Sequence, residues 1–142
     1  MNGNTELLNF VYQNSQMGVL TINKLIEICD DPKFTTLLRS QFSEYETIHN
    51  QANDLLAQND KSEKGISTCK KIKTYLMIDM QTLTDKSSSH IAEMLMVGSV
   101  MGIIQALRNI RKYNDADKDV LDLMDRLLKF EERNITELKP FV

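Results

Sequence analysis

The chain has 142 residues, which is the usual size of one domain and enough to bury a hydrophobic core without disulfides. Its 17 basic and 20 acidic residues give a net charge of −3, which argues against a nucleic-acid-binding surface because phosphate binding requires clustered Lys and Arg. Only two Pro and five Gly interrupt a composition that favours helices, so we expect one all-α domain over residues 1–142.

The first two predicted helices form a hairpin over about residues 4–59. In the first helix, about residues 4–29, apolar and small side chains recur at alternating steps of three and four, which is the spacing of one helical face. Asp31 can accept hydrogen bonds from the first turn of the next helix, and Pro32 fits that turn because its missing N–H is not needed there. The short joint predicts that the two helices pack antiparallel.

A long connection, about residues 60–87, leads to a second predicted hairpin. It begins as a polar run and contains a short helix over about residues 66–83, indicated by Ile72, Leu76 and Met80. Two further helices follow over about residues 88–113 and 115–139, and Pro140 ends the last one. Two hairpins joined by one long crossover predict a four-helix bundle.

The apolar stretch at residues 91–107 is the best candidate for a membrane span. It contains Glu93, Ser99 and Gln105 and is shorter than the roughly 20 residues that a span needs, so we interpret it as a buried helix. The first residues lack the basic and apolar regions of a signal peptide, and Cys29 and Cys69 have no metal-binding spacing. We therefore expect a cytoplasmic protein that binds neither membrane nor nucleic acid.

The two hairpins resemble each other in sequence. Residues 15–20, SQMGVL, match residues 99–104, SVMGII, at an offset of 84. With one residue of slippage, Tyr45 pairs with Phe130 and Glu46 pairs with Glu131. The pattern favours a duplicated helical hairpin.

Glu46 and His49 form a Glu-x-x-His pair in the second helix, and Glu131 lies on the inward stripe of the last helix. On these residues, the duplication and the architecture, the chain resembles the ferritin-like superfamily, nearest to small four-helix proteins related to rubrerythrins. The resemblance implies a two-metal centre made of one Glu on each of two helices and a Glu-x-x-His on each of the other two.

This chain departs from that pattern at three of the four helices. Asn134 stands where the second histidine belongs, and the other two helices offer no inward glutamate, only the side chains of Asn14, Ser15 and Gln16 on the first and of Val97, Ser99 and Val100 on the third. The resemblance therefore implies that the complete di-iron centre is absent. Two interpretations stay open. One is a hydrogen-bonded buried cluster of Glu46, His49, Glu131 and Asn134, with direct contact between His49 and Glu131; the other is one ion of iron, manganese or zinc held by Glu46, His49 and Glu131.

For function, the sequence leaves two classes. One is a ferritin-like protein without a complete di-iron site, with one bound metal ion as an option; the other is a metal-free helical module that assembles with itself or with a partner. No glycine-rich phosphate loop or nucleophile motif is present, which favours a non-catalytic role. Gly98 and Gly102 allow close approach of a neighbouring helix or a second subunit, and we expect a homo-oligomer. His90 and Glu93 are interpreted as first-turn residues of their helix.

Overall fold

The computed structural model describes residues 3–58, 73, 75–77, 80 and 83–142. These residues form four long α-helices, with no strand in the part described: α1, Asn4–Ile28; α2, Pro32–Gln58; α3, Ser88–Lys112; and α4, Lys118–Leu138. A single 3₁₀ turn, Lys139–Phe141, follows α4. The expected all-α fold is confirmed. Most of the short helix predicted over residues 66–83 lies outside the described residues, although residues 73, 75–77 and 80 are helical.

Side-chain caps explain where α2 and α3 begin. Asp31 Oδ1 accepts hydrogen bonds from the backbone N–H groups of Lys33 and Phe34, at 3.1 and 3.5 Å, so the predicted cap by Asp31 is confirmed. Ser87 Oγ accepts from the N–H of His90 at 3.2 Å and starts α3 in the same way. Helix α4 begins three residues later than the sequence suggested.

Hydrogen bonds between helix ends fix the direction of each helix. At one end, Asn4 Nδ2 donates to Asp117 Oδ2 at 2.9 Å and Asn4 Oδ1 accepts from the N–H of Asp117 at 2.8 Å, which joins the start of α1 to the start of α4. At the other end, Ser88 Oγ donates to Asp31 Oδ2 at 3.0 Å, which joins the starts of α2 and α3. Helices α1 and α4 therefore run one way, and α2 and α3 run the other way.

The helices pack mainly as the pairs α1/α2 and α3/α4, and both pairs bury an apolar core between them. The fully buried side chains include Phe10 of α1, Phe34 of α2, Ile91 of α3 and Met124 of α4. Arg126 of α4 forms a bidentate ion pair with Glu44 of α2, in which Nε and Nη2 each lie 2.9 Å from a carboxylate oxygen. This pair ties the two hairpins together at the surface.

Helix α3 is only half buried, in contrast to the buried helix expected over residues 91–107. Its inner face is covered by the rest of the bundle, but Val97, Val100, Ile104 and Leu107 are exposed. Among the described helices, α3 is also the one that is long and apolar enough to cross a membrane by length and composition. Core helices of soluble proteins have the same length and composition.

Candidate functional site

Among the described residues, one carboxyl group lies in the centre of the bundle. Glu131 of α4 is only 2% exposed, and the Tyr45 hydroxyl of α2 donates to its carboxylate, lying 3.0 Å from both oxygens. The Tyr45 ring is held by Phe130, whose ring packs edge-on at a centroid distance of 4.6 Å. A buried phenol–carboxyl pair therefore connects α2 with α4.

Burial controls the ionisation of this pair. Loss of hydration raises the pKa of Glu131 from 4.5 to about 7, although hydrogen bonding by Ser99 and Tyr45 acts in the opposite direction. Burial and the neighbouring Glu131 raise the pKa of Tyr45 well above its usual value of 10. Near neutral pH, the site thus holds a phenol beside a carboxyl group that can be either neutral or charged.

Two glycines leave room for the pair formed by Tyr45 and Glu131. A Cβ atom at Gly18 of α1 would lie 2.7 Å from atoms of the Tyr45 ring, so only glycine lets the ring approach this closely. A Cβ at Gly102 of α3 would lie 3.1 Å from Asn14 Nδ2 and 3.4 Å from Glu131 Oε1. Both glycines of the matched segments therefore face the site.

Gly98 also faces inward, where an added Cβ would lie 3.4 Å from Leu76 Cδ2. Gly102 thus allows close approach inside the same chain, whereas a Cβ at Gly98 would meet Leu76 at an ordinary van der Waals distance.

A cavity of about 30 Å³ lies beside the carboxyl group. This volume accommodates one water molecule or one small ion. Its polar wall includes Gln41, whose Nε2 is buried and has no hydrogen-bond partner among the described residues. The polar lining residues are Asn14, Thr21, Gln41, Tyr45, Ser99 and Glu131.

Asn134 lies at the edge of this cluster and is 1% exposed. Its amide is close enough to the Tyr45 hydroxyl to oppose the rise in the tyrosine pKa. Neither its nitrogen nor its oxygen reaches good hydrogen-bonding geometry with any described residue. Asn134 therefore borders the pair as a poorly satisfied amide.

The predicted ligands Glu46, His49 and Glu131 do not meet. Glu46 is exposed on the outside of α2. His49 is half buried between α1 and α2, where its Nδ1 lies 3.3 Å from both Ser15 Oγ and the carbonyl oxygen of Tyr12. Among residues 3–58, 73, 75–77, 80 and 83–142, no three His, Cys, Asp or Glu side chains form a group that could hold a metal ion.

The expected direct contact between His49 and Glu131 is replaced by separate partners. His49 stacks on Tyr12, with a centroid distance of 4.3 Å, whereas Glu131 bonds to Tyr45. His49 thus belongs to the α1/α2 joint, and Glu131 belongs to the centre.

The burial pattern explains why Glu46 points outward. Pairing Glu46 with Glu131 assumed an offset of 85 between α2 and α4, but the buried positions of the two helices match at an offset of 86. At that offset, Tyr45 corresponds to Glu131, and the exposed Glu46 corresponds to the exposed Glu132. The buried residues of α2 that map onto buried residues of α4 are Phe34, Leu38, Gln41, Tyr45, Ile48 and Ala52, matching Val120, Met124, Leu127, Glu131, Asn134 and Leu138.

An alignment error of one residue corresponds to a rotation of about 100° around the helix axis. It therefore exchanges an inward side chain for an outward one. Sequence reasoning therefore selected Glu131 as a site residue but missed Tyr45. The two glycines gave a usable signal, because Gly18 packs on Tyr45 and Gly102 packs on Glu131.

No protein-family model, curated protein or solved structure matches this chain.

The chemistry of the site follows from its side chains. Glu131 can exchange a proton near pH 7, and Tyr45 can donate a hydrogen bond to it in either state. The remaining polar lining groups are neutral hydroxyls and amides, which can hydrogen-bond a water molecule in the cavity.

Proposed function

We propose that the chain is a ferritin-like four-helix protein without a complete di-iron site, and that it acts as a non-catalytic helical module. The helix directions support the ferritin-like part of this proposal. Helices α2 and α3 start at the same end of the bundle, so α2 ends at the end opposite to the start of α3. One long crossover between two hairpins is the connection found in ferritin-like folds.

The hydrogen bond from Tyr45 to Glu131 carries the proposal. In a di-iron protein of this type, four helices supply carboxylates that bridge and neutralise two cations. At the corresponding depth here, α2 supplies the phenol of Tyr45, α3 supplies Ser99, and α1 supplies Asn14. The single charge of Glu131 is insufficient for two divalent ions, and both of its oxygens already accept from the phenol.

A single bound ion is the second candidate, and the cavity beside Glu131 favours it. Iron, manganese or zinc would find one carboxylate there, together with the neutral oxygens of Asn14, Thr21 and Ser99. Glu46 and His49 would lie outside this ligand set. Binding would also require Glu131 to be ionised, so it would weaken as the pH falls below about 7.

Elemental analysis of protein purified without added metal separates these candidates. We expect no stoichiometric iron, manganese or zinc, and no rise in melting temperature when any of these ions is added. Two irons per chain would contradict it. One ion per chain that is lost in Glu131→Gln, but kept in the exposed control Glu46→Gln, would establish the single-ion alternative.

A further inference from the structure

The outer face of α3 carries a continuous apolar stripe. Val97, Val100, Ile104 and Leu107 are 37, 43, 44 and 52% exposed, although the opposite face of the same helix is buried in the bundle. The stripe ends at two exposed charges, Glu93 before it and Arg111 after it. All six positions follow at alternating steps of four and three residues, which is the spacing of a seam between two packed helices.

The stripe is complementary to itself when two copies are placed antiparallel. Val97 and Leu107 are equally far from position 102, as are Val100 and Ile104. In an antiparallel pair centred at that level, each valine therefore meets a larger apolar side chain of the second copy. Such a twofold arrangement uses the same patch on both subunits and closes on itself.

The charges at the two ends favour the same arrangement. Glu93 and Arg111 are also equally far from position 102, so antiparallel packing brings Glu93 of each copy to Arg111 of the other. Parallel packing would instead bring like charges together, which is unfavourable. The end charges thus select both the direction and the register of the pair.

We propose that the protein forms a homodimer through the outer faces of two antiparallel α3 helices. This inference deepens the proposed function and rests on it, because a module without central chemistry acts through its contacts. One helix per copy makes a small interface, so we expect a dimer that dissociates on dilution.

A lipid bilayer is the main competing occupant of this face. Crossing a membrane would require α3 to leave the bundle and expose its inner residues, which include Ser99 and the Gly102 that packs on Glu131. Pairing with a second copy covers the stripe and leaves that core intact.

Sedimentation velocity over a range of concentrations tests the dimer. We expect the wild-type chain to shift from monomer to dimer, and the double variant Val100→Glu/Ile104→Glu to weaken dimerisation by about a hundredfold or more, since four charges then enter an apolar seam. Leu20→Glu is the matched control, because Leu20 is 54% exposed on α1 and lies outside the stripe. Far-ultraviolet circular dichroism checks that each variant is folded.

Charge reversal tests the direction of packing. Glu93→Arg or Arg111→Glu alone should raise the dimer Kd about tenfold, because each change converts two attractive pairs into repulsive ones. The double reversal should restore the wild-type Kd. If the effects of the two single reversals on the dimer Kd simply add in the double variant, the antiparallel register is wrong.

A wild-type chain that stays monomeric at every concentration would overturn the dimer. Flotation of such a monomer with vesicles of phosphatidylcholine and phosphatidylserine would assign the stripe to a membrane instead. Metal content is measured on the same samples, so that a failed dimer and a failed proposal for the centre are distinguished.

Discussion

Tyr45 and Glu131 occupy corresponding positions in the two helical hairpins and meet in the centre of the bundle. The Tyr45 hydroxyl lies 3.0 Å from both carboxylate oxygens of Glu131, and each residue packs against a glycine of the neighbouring helix. Among the described residues, Glu131 is the only one that lines the central cavity with a carboxyl group, and this group is paired with a phenol.

The pH dependence of stability should report the raised pKa of Glu131. Its folded pKa of about 7 lies above the unfolded value of 4.5, so the folded state holds the proton more tightly. This contribution is fully present below pH 4.5 and is lost as the pH rises through about 7, at a cost of about 3 kcal/mol. Urea unfolding at a series of pH values measures it.

Glu131→Gln should remove that dependence, because the amide cannot ionise. We expect the variant to be more stable than the wild type near pH 8, by up to about 3 kcal/mol, and to lose this advantage near pH 5. Glu46→Gln, on the exposed side of α2, should leave the profile unchanged. A wild-type free energy of unfolding that rises from pH 5 to pH 8 would contradict the predicted direction of the pH dependence.

Tyr45→Phe should destabilise the protein mainly at alkaline pH. It removes the donor to both Glu131 oxygens, so the ionised carboxyl group is left less satisfied. We expect a loss of about 1–3 kcal/mol near pH 8 and a further rise in the pKa of Glu131. Tyr12→Phe, which keeps the ring that stacks on His49, is the control.

Gly18 and Gly98 should respond oppositely to alanine. At Gly18 the added Cβ meets the rigid Tyr45 ring at 2.7 Å, so we expect Gly18→Ala to cost about 1–3 kcal/mol. At Gly98 the nearest atom is 3.4 Å away at the end of Leu76, so Gly98→Ala should stabilise α3 by up to about 1 kcal/mol through helix propensity. Thermal unfolding of both variants decides this, and equal effects would show that the Tyr45 contact is unimportant.

The ion pair between Glu44 and Arg126 should contribute modestly to joining the hairpins. Its bidentate geometry favours a measurable effect, but both side chains are partly exposed. Arg126→Lys should therefore lower the free energy of unfolding by about 0.5–1 kcal/mol. Lys129→Arg, at an exposed pair within α4, serves as the control. A loss that persists unchanged in high salt would not fit an exposed ion pair.

The helices could be predicted from sequence because their signals are local. Asp31 and Pro32 mark the start of α2 through a cap and a missing N–H, and the stripe of α4 indicated that Glu131 points inward. These features depend on residues within one or two turns.

The site could be predicted only in part, because it depends on how two helices are rotated relative to each other. An alignment shifted by one residue paired Glu46 with Glu131, and the Glu-x-x-His spacing added His49 to the predicted site, so Tyr45 was overlooked. The partner of Glu131 lies 86 residues away, so only the packing of α2 against α4 identifies it. The exposed stripe of α3 was overlooked for a related reason, since hydropathy alone does not distinguish an inner face from an outer one.

Titration of the Glu131 side-chain carbon by ¹³C NMR tests the central claim most directly, with Glu131→Gln used to assign the signal. We expect a single titration near pH 7 that does not change when iron, manganese or zinc is added. A pKa at or below the ordinary value of 4.5, or a signal displaced by one of these ions, would contradict a phenol-paired carboxyl group in the centre.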